Sequence, residues 1–222
     1  MKGYAPDTFT WSHVNKLAEG VERAFPSDTV LVVMRDEWFA DKPDERHPLI
    51  VEVDLPPTHS GGWTPWLELF DGDTIPEGER CVYVGIDTVF VADCGWLFDW
   101  DACPVGLIPD PFKPHQAATC VVTADRHGAH WIEEEYRFRQ GTKFHGCKTR
   151  GRPSDWIMLR NMQSQHQWPM LDSPRIRSFK QHTSKKDGGK IPPGTSLVYC
   201  HGEPRPWEIP EGHPVRETWE GR

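Results

Sequence analysis

The 222-residue sequence predicts an α/β fold: a mixed central sheet covered by helices on both faces, in one domain over 1–222 with a short polar tail from about 210. Three observations carry this. Short apolar runs recur between amphipathic or polar stretches. One run, CVYVGIDTVFVAD at 81–93, is too apolar to leave a wet face at its start. No linker-like stretch divides the chain clearly.

Taken in order, SHVNKLAEGVERAF begins at Ser12, a plausible N-cap, and puts Val14, Leu17, Ala18, Val21 and Ala24/Phe25 on one helical face. TVLVVM (29–34) reads as a buried strand and LIVEVD (49–54) as a second. WLELF (66–70) suits a turn or two of helix. After the run at 81–93, PVGLI (104–108) and TCVVT (119–123) follow as short strands. A polar helix at HWIEEEYRF leads to a basic loop, GTKFHGCKTRGR (141–152). Ser154 can cap the helix DWIMLRNM. TSKKDGGKIPPG (183–194) is expected to be mobile and precedes a last strand at 196–200.

Composition narrows the function classes. No apolar run approaches the roughly 18 residues of a membrane span, and the N-terminus lacks the basic-then-apolar pattern of a signal peptide. A soluble, cytoplasmic protein is expected. The net charge of −8, without a long basic run, argues against a nonspecific grip on nucleic acid. A phosphorylated small molecule still fits if a metal ion or an Arg/Lys cluster offsets the repulsion. The six cysteines show no C-x-x-C spacing, which disfavours a structural zinc site, and four sit in or beside apolar runs, which suggests buried free thiols rather than disulfides. The 11 tryptophans fall beside chemistry-capable residues as well as in apolar runs, as a pocket with flat stacking walls would have them.

Two strand ends hold residues that ordinary packing does not require. Asp87 interrupts the apolar run at 81–93, and a buried carboxylate is costly unless paired, hydrogen-bonded or metal-bound. Capping a neighbouring loop is the plain alternative. Gly85, two residues earlier, faces the same side of an extended strand. His201 and Gly202 follow the last strand, and Pro204, Arg205, Pro206 and Trp207 come next. A histidine there is either structural or, with Asp87, one donor to Mn²⁺ or a similar ion completed by phosphate and water. Arg205 can pair with phosphate through its fork of donors, or with Glu203 or Glu208 as a surface ion pair.

These residues also carry a resemblance. YVGIDTVFV resembles the Y-L-D-L-D-T-V strand of GT-A-type glycosyltransferases, and HGEPRPWE resembles the H-G-x-P-K-P-W segment of bacterial and phage relatives of glycosyltransferase family 8. GWTPWLELF, DWIML and IRSFK resemble three further segments in the expected order, so the likeness runs from about 11 to 209. It implies a GT-A-like, Rossmann-like domain that binds a nucleotide-sugar donor, with UDP the expected nucleotide, and moves the sugar to an unknown hydroxyl acceptor. It also implies Mn²⁺ or Mg²⁺ held by Asp87 and His201, and Gly202 passing the diphosphate. Arg205 stands in place of a phosphate-binding Lys, Lys180 faces phosphate or acceptor, and Trp207 belongs to the same segment. Asp155 is implied as an acid near the transferred sugar, although Trp156 follows it where the family has Gln.

The sequence departs from the family at several of these positions. Gly85 replaces the first D-x-D carboxylate, Trp66 replaces a Lys, and Ala117 and Ala118 replace an Asn-Ser pair. The family's first strand has no recognisable counterpart ahead of Tyr4. An altered donor site is one expectation. The other is a catalytically degenerate GT-A-like module, of the kind a phage encodes, that binds a ligand or a protein.

Overall fold

The computed structural model describes residues 10–35, 46–54, 67, 70, 73, 75–141, 148–149, 152–153, 155–183 and 189–222. Ser154, Trp66, Cys147, Tyr4 and most of the 141–152 loop lie outside them. So do 184–188 of the stretch expected to be mobile, and all of 66–70 except Leu67 and Phe70. The chain divides into two compact units, one of residues 1–56, 85–95 and 174–222, the other of 57–84 and 96–173.

The first unit begins with α1 (Trp11–Ala24), which buries Trp11, Val14, Leu17, Ala18, Val21 and Ala24 along the expected face. Its N-cap is Thr10, not Ser12. The Thr10 carbonyl accepts from the amides of His13 and Val14, and the Thr10 amide donates to His13 Nδ1 at 3.1 Å, so the first turn closes two residues earlier. β1 (Leu31–Arg35) and β2 (Ile50–Asp54) pair in parallel. The expectation that 29–34 is a buried strand is corrected here, because Val30, Val32, Val51 and Val53 are exposed. Strands of this composition need a covered face to be buried, and among the described residues β1 pairs with β2 alone.

The run at 81–93 is two strands. β3 (Arg80–Val84) ends at Val84, the chain turns as the Thr88 amide donates to the Gly85 carbonyl at 3.0 Å, and β4 (Thr88–Phe90) follows. The two go to different sheets. β3 joins an antiparallel sheet of the second unit in the order β3-β6-β5, with β5 at Val105–Pro109 and β6 at Ala117–Asp125. β4 joins a mixed sheet of the first unit, antiparallel to β10 (Leu197–Tyr199), which runs parallel to β9 (Ile176–Ser178).

Helix α1 packs on β4 through Gly20, where an added Cβ would stand 3.0 Å from the Phe90 ring. The polar tail expected from about 210 is also corrected, because residues Pro214–Glu220 form α4 with Val215 and Trp219 buried on one face. His213 caps it, its Nδ1 accepting from the Val215 amide at 3.2 Å, and Gly221 ends it at φ 79°.

In the second unit, α2 (Arg126–Gly141) and α3 (Asp155–His166) pack on β6. Their shared core holds Leu67, Phe70, Leu107, Val122, Ile132, Met158 and Leu159. Short β7 (Lys148–Thr149) and β8 (Arg152–Pro153) form a separate antiparallel pair. The described cysteines are free thiols, with Cys94 and Cys200 buried and Cys81, Cys103 and Cys120 only half-buried. Burial pushes the thiols of Cys81 and Cys94 up to about 12.

Candidate functional site

Most of the sequence-predicted site residues meet in the first unit. At one end of its mixed sheet, the antiparallel register pairs Tyr199 with Thr88, and one step further the Cys200 amide donates to the Asp87 carbonyl at 3.1 Å. That bond fixes Asp87 where β10 gives way to His201 and Gly202. Gly202 adopts φ 74°, a left-handed conformation that disfavours any residue with a Cβ. The same position leaves backbone uncovered beside Lys180, whose Nζ lies 3.6 Å from where a Gly202 Cβ would be. Lys180 is held on a single π-helical turn (Phe179–Thr183) directly after β9, an irregularity often found at functional sites.

Arg205 is buried, and its Nη1 lies 3.4 Å from Asp87 Oδ2. The surface ion pair with Glu203 or Glu208 is therefore not what holds the guanidinium. Glu208 instead accepts from the Arg205 backbone amide at 2.8 Å and caps the 3-10 turn Pro206–Glu208. Desolvation raises the Asp87 carboxyl to about 6, against the lowering effects of Arg205, the residue's own backbone amide and Lys180. The buried Cys200 thiol feels Asp87 as well and is pushed far above its ordinary value, mainly by burial.

The Trp207 ring is partly covered by its neighbours. The His13 ring stacks on it at 3.9 Å, Arg205 lies 5.9 Å from its centroid, and Trp219 packs at 5.7 Å. Helix α4 buttresses the segment, because Arg216 donates to the Trp207 carbonyl and pairs with Glu220. His13 escapes sequence reasoning. It sits beside the apolar face of α1, and its one local signal is the Thr10 spacing of a cap. Burial, and then the nearby charges of Arg205 and Arg216, lower its pKa, so the ring beside Trp207 favours the neutral form.

His201 lies against Tyr199, ring centroids 5.6 Å apart, with both imidazole nitrogens buried. A divalent ion prefers several oxygen or nitrogen donors around one open point. Asp87 is engaged by Arg205, Gly85 offers no side chain, and among the described residues no group of three His, Cys, Asp or Glu converges on such a point. The residues present do not fit a divalent ion.

Asp155 opens α3 in the second unit, and its side chain lies outside the described residues. Ala117 and Ala118, where the family has polar groups, are buried at the start of β6. The second unit also holds a cavity of about 580 Å³ lined by Arg80, Trp100, Asp125, His127 and His130, among others. Arg80 is a structural tie there, donating to the carbonyls of Cys103 and Pro104 and to Thr123 Oγ1. No helix of the described residues is long and apolar enough to cross a membrane.

Solved structures with this architecture include the apo form of the glycosyltransferase GlyE of Streptococcus pneumoniae TIGR4, at TM-score 0.61 and 14% identity over 96% of this chain. The galactosyltransferase LgtC, solved with donor and acceptor sugar analogues, matches at TM-score 0.59 and 13% identity over 95% of this chain and 92% of its own. The chain has a glycosyltransferase fold. The GT-A-type architecture expected from residues 81–93 and 201–207 is thus shown at the level of fold. The chain spans 58% of the length of GlyE. No protein-family model and no curated protein sequence matches it.

Proposed function

We propose that this glycosyltransferase-fold chain binds the diphosphate of a nucleotide-sugar donor, with UDP the expected nucleotide, at the end of the mixed sheet in the first unit. The observation that carries the reading is the convergence of Arg205, Lys180 and the side-chain-free Gly202 beside Asp87. Two cations beside an open backbone suit a diphosphate, because charge-assisted donors to phosphate are among the stronger hydrogen bonds. In the reaction proposed, the bond from the sugar's anomeric carbon to the diphosphate oxygen breaks, and the sugar passes to a hydroxyl of an unknown acceptor. The diphosphate leaves with the bonding electrons and takes up the proton that the acceptor hydroxyl gives up. Arg205 and Lys180 stabilise the charge that grows on it. Asp155 is proposed as the carboxyl group near the transferred sugar, and the cytoplasm as the place of action.

Mn²⁺ or Mg²⁺ held by Asp87 and His201 would supply the same countercharge as a Lewis acid; the engagement of Asp87 by Arg205 speaks against that share of the work. The absence of a carboxylate at Gly85 favours a second reading, a degenerate, phage-encoded module that binds the nucleotide without transfer. Calorimetry with UDP and uridine tests the shared core of both. UDP is expected to bind more tightly than uridine, and Arg205→Ala to weaken UDP roughly ten- to a hundredfold while leaving uridine little changed. Equal weakening of the two ligands would assign Arg205 a purely structural role. Release of free sugar or glycoside from UDP-sugars separates transfer from binding alone.

A further inference from the structure

The D-x-D pattern normally brings two carboxylates to one point, and this chain keeps one. Its surviving carboxylate, Asp87, is in a mostly buried ion pair with Arg205, the two side chains 16% and 9% exposed. The other position is Gly85, where an added Cβ would stand 2.8 Å from Asp87 Oδ1, so the space a second carboxylate would enter is already shared with the first. The imidazole nitrogens of His201 are shielded from solvent. Two cations, Arg205 and Lys180, act on Asp87, and the nearby Glu208 carboxylate is turned to the Arg205 backbone amide.

We infer that the site binds the nucleoside diphosphate without a divalent cation, Arg205 occupying the role the ion would have. Asp87 is then a positioning residue. It holds the guanidinium at the sheet end in the absence of ligand, and on binding Arg205 turns part of its donor fork to the phosphate. The charges support this. Arg205 and Lys180 can both turn donors to a dianionic or trianionic ligand while Glu208 stays on the Arg205 backbone amide, whereas adding a divalent ion would bring it against an already paired Asp87. The inference rests on the donor-site reading above, which it refines.

The test uses the full chain and UDP. Affinity is measured by calorimetry in EDTA and again in millimolar Mn²⁺, and Mn²⁺ alone is titrated while its electron paramagnetic resonance signal is followed. The expected result is UDP binding that agrees within about twofold between the two conditions, with the Mn²⁺ signal remaining that of the free ion. Asp87→Asn adds a sharper split. With Arg205 released from its competing anion, UDP should tighten three- to tenfold in EDTA, while Arg205→Lys should weaken it through loss of the fork. UDP affinity that rises tenfold or more with Mn²⁺, and is lost in Asp87→Asn, would overturn the inference while leaving the donor-site reading intact. No UDP binding in either condition would overturn the donor-site reading itself, and the inference with it. The comparison of wild type in EDTA and Mn²⁺ requires no variant to fold, and circular dichroism controls the variants.

Discussion

Gly85 and Asp87 are two residues apart, and the contact a Gly85 Cβ would make is with the end of a flexible side chain rather than with backbone. Asp87 can therefore rotate aside without moving backbone, at the expense of its 3.4 Å approach to Arg205, whose guanidinium the new carboxylate can meet instead. Gly85→Asp should lower the melting temperature only slightly. It should weaken UDP in EDTA, because two carboxylates now compete for Arg205, and Mn²⁺ should restore binding, because two carboxylate oxygens can now share an ion. Calorimetry with and without Mn²⁺, beside a melting curve, checks this. A steep fall in melting temperature with no gained metal dependence would show that Gly85 serves packing. Asp87 also sets a pH dependence. Its folded-state pKa of about 6 lies above the ordinary 3.8, with burial the larger cause and Arg205 and Lys180 opposing it. The folded state thus holds this proton more tightly than the unfolded state. Its contribution to stability is fully present below about pH 4 and is lost as pH rises through 6. Denaturant unfolding should show the stability of wild type relative to Asp87→Asn falling over that window by on the order of 2–3 kcal/mol, and flat above pH 7.

At the scale of elements, Gly128 lies in the first turn of α2. Replacing a helical glycine with alanine ordinarily gains up to about 1 kcal/mol. Here an added Cβ would stand 2.3 Å from the Pro104 carbonyl oxygen, a backbone atom that cannot swing away. The steric term wins, and Gly128→Ala is expected to destabilise the protein by about 1–3 kcal/mol, read as a lowered denaturant midpoint. That close approach is invisible in the sequence, whereas the elements themselves are largely legible. The apolar runs at 49–54, 104–108 and 119–123 correspond to strands, and the face of α1 is the one the periodicity marks. The break inside 81–93 is not legible, because Val84-Gly85-Ile86 reads as continuous strand until the Thr88–Gly85 turn and two separate sheets divide it. The burial expected of β1 fails because a short apolar run does not tell whether a neighbouring strand or helix covers the valines. Asp87, Lys180, Gly202, Arg205 and Trp207 were legible as a local pattern. The pairing of Asp87 with Arg205 across 118 positions, and His13 on the Trp207 ring, depend on tertiary contacts that no spacing encodes.

Over the whole molecule, the chain passes back and forth between two cores, and neither unit is one continuous segment. The entropy of the connecting loops then ranks the units. If the first unit opens, residues 85–95 become a short loop joining the two parts of the second unit. If the second opens, residues 57–84 and 96–173 become long loops that the first unit must close. The longer of these is about seven times the length of 85–95, and at about 0.6 kcal/mol per doubling the extra closure cost is on the order of 1.5–2 kcal/mol. By this entropy the second unit, whose core includes Leu107, Val122, Ile132, Met158 and Leu159, is the harder to open. It should therefore be the last to open. Native-state hydrogen exchange in rising, sub-denaturing guanidinium is expected to expose the amides of α1, β4 and β10 before those of β5, β6 and α3. Leu197→Ala, fully buried in β10, should widen the gap. It should speed exchange in the first group and leave the second nearly unchanged. Equal acceleration in both groups would show that the two cores open as one cooperative unit, and that loop entropy does not govern the order.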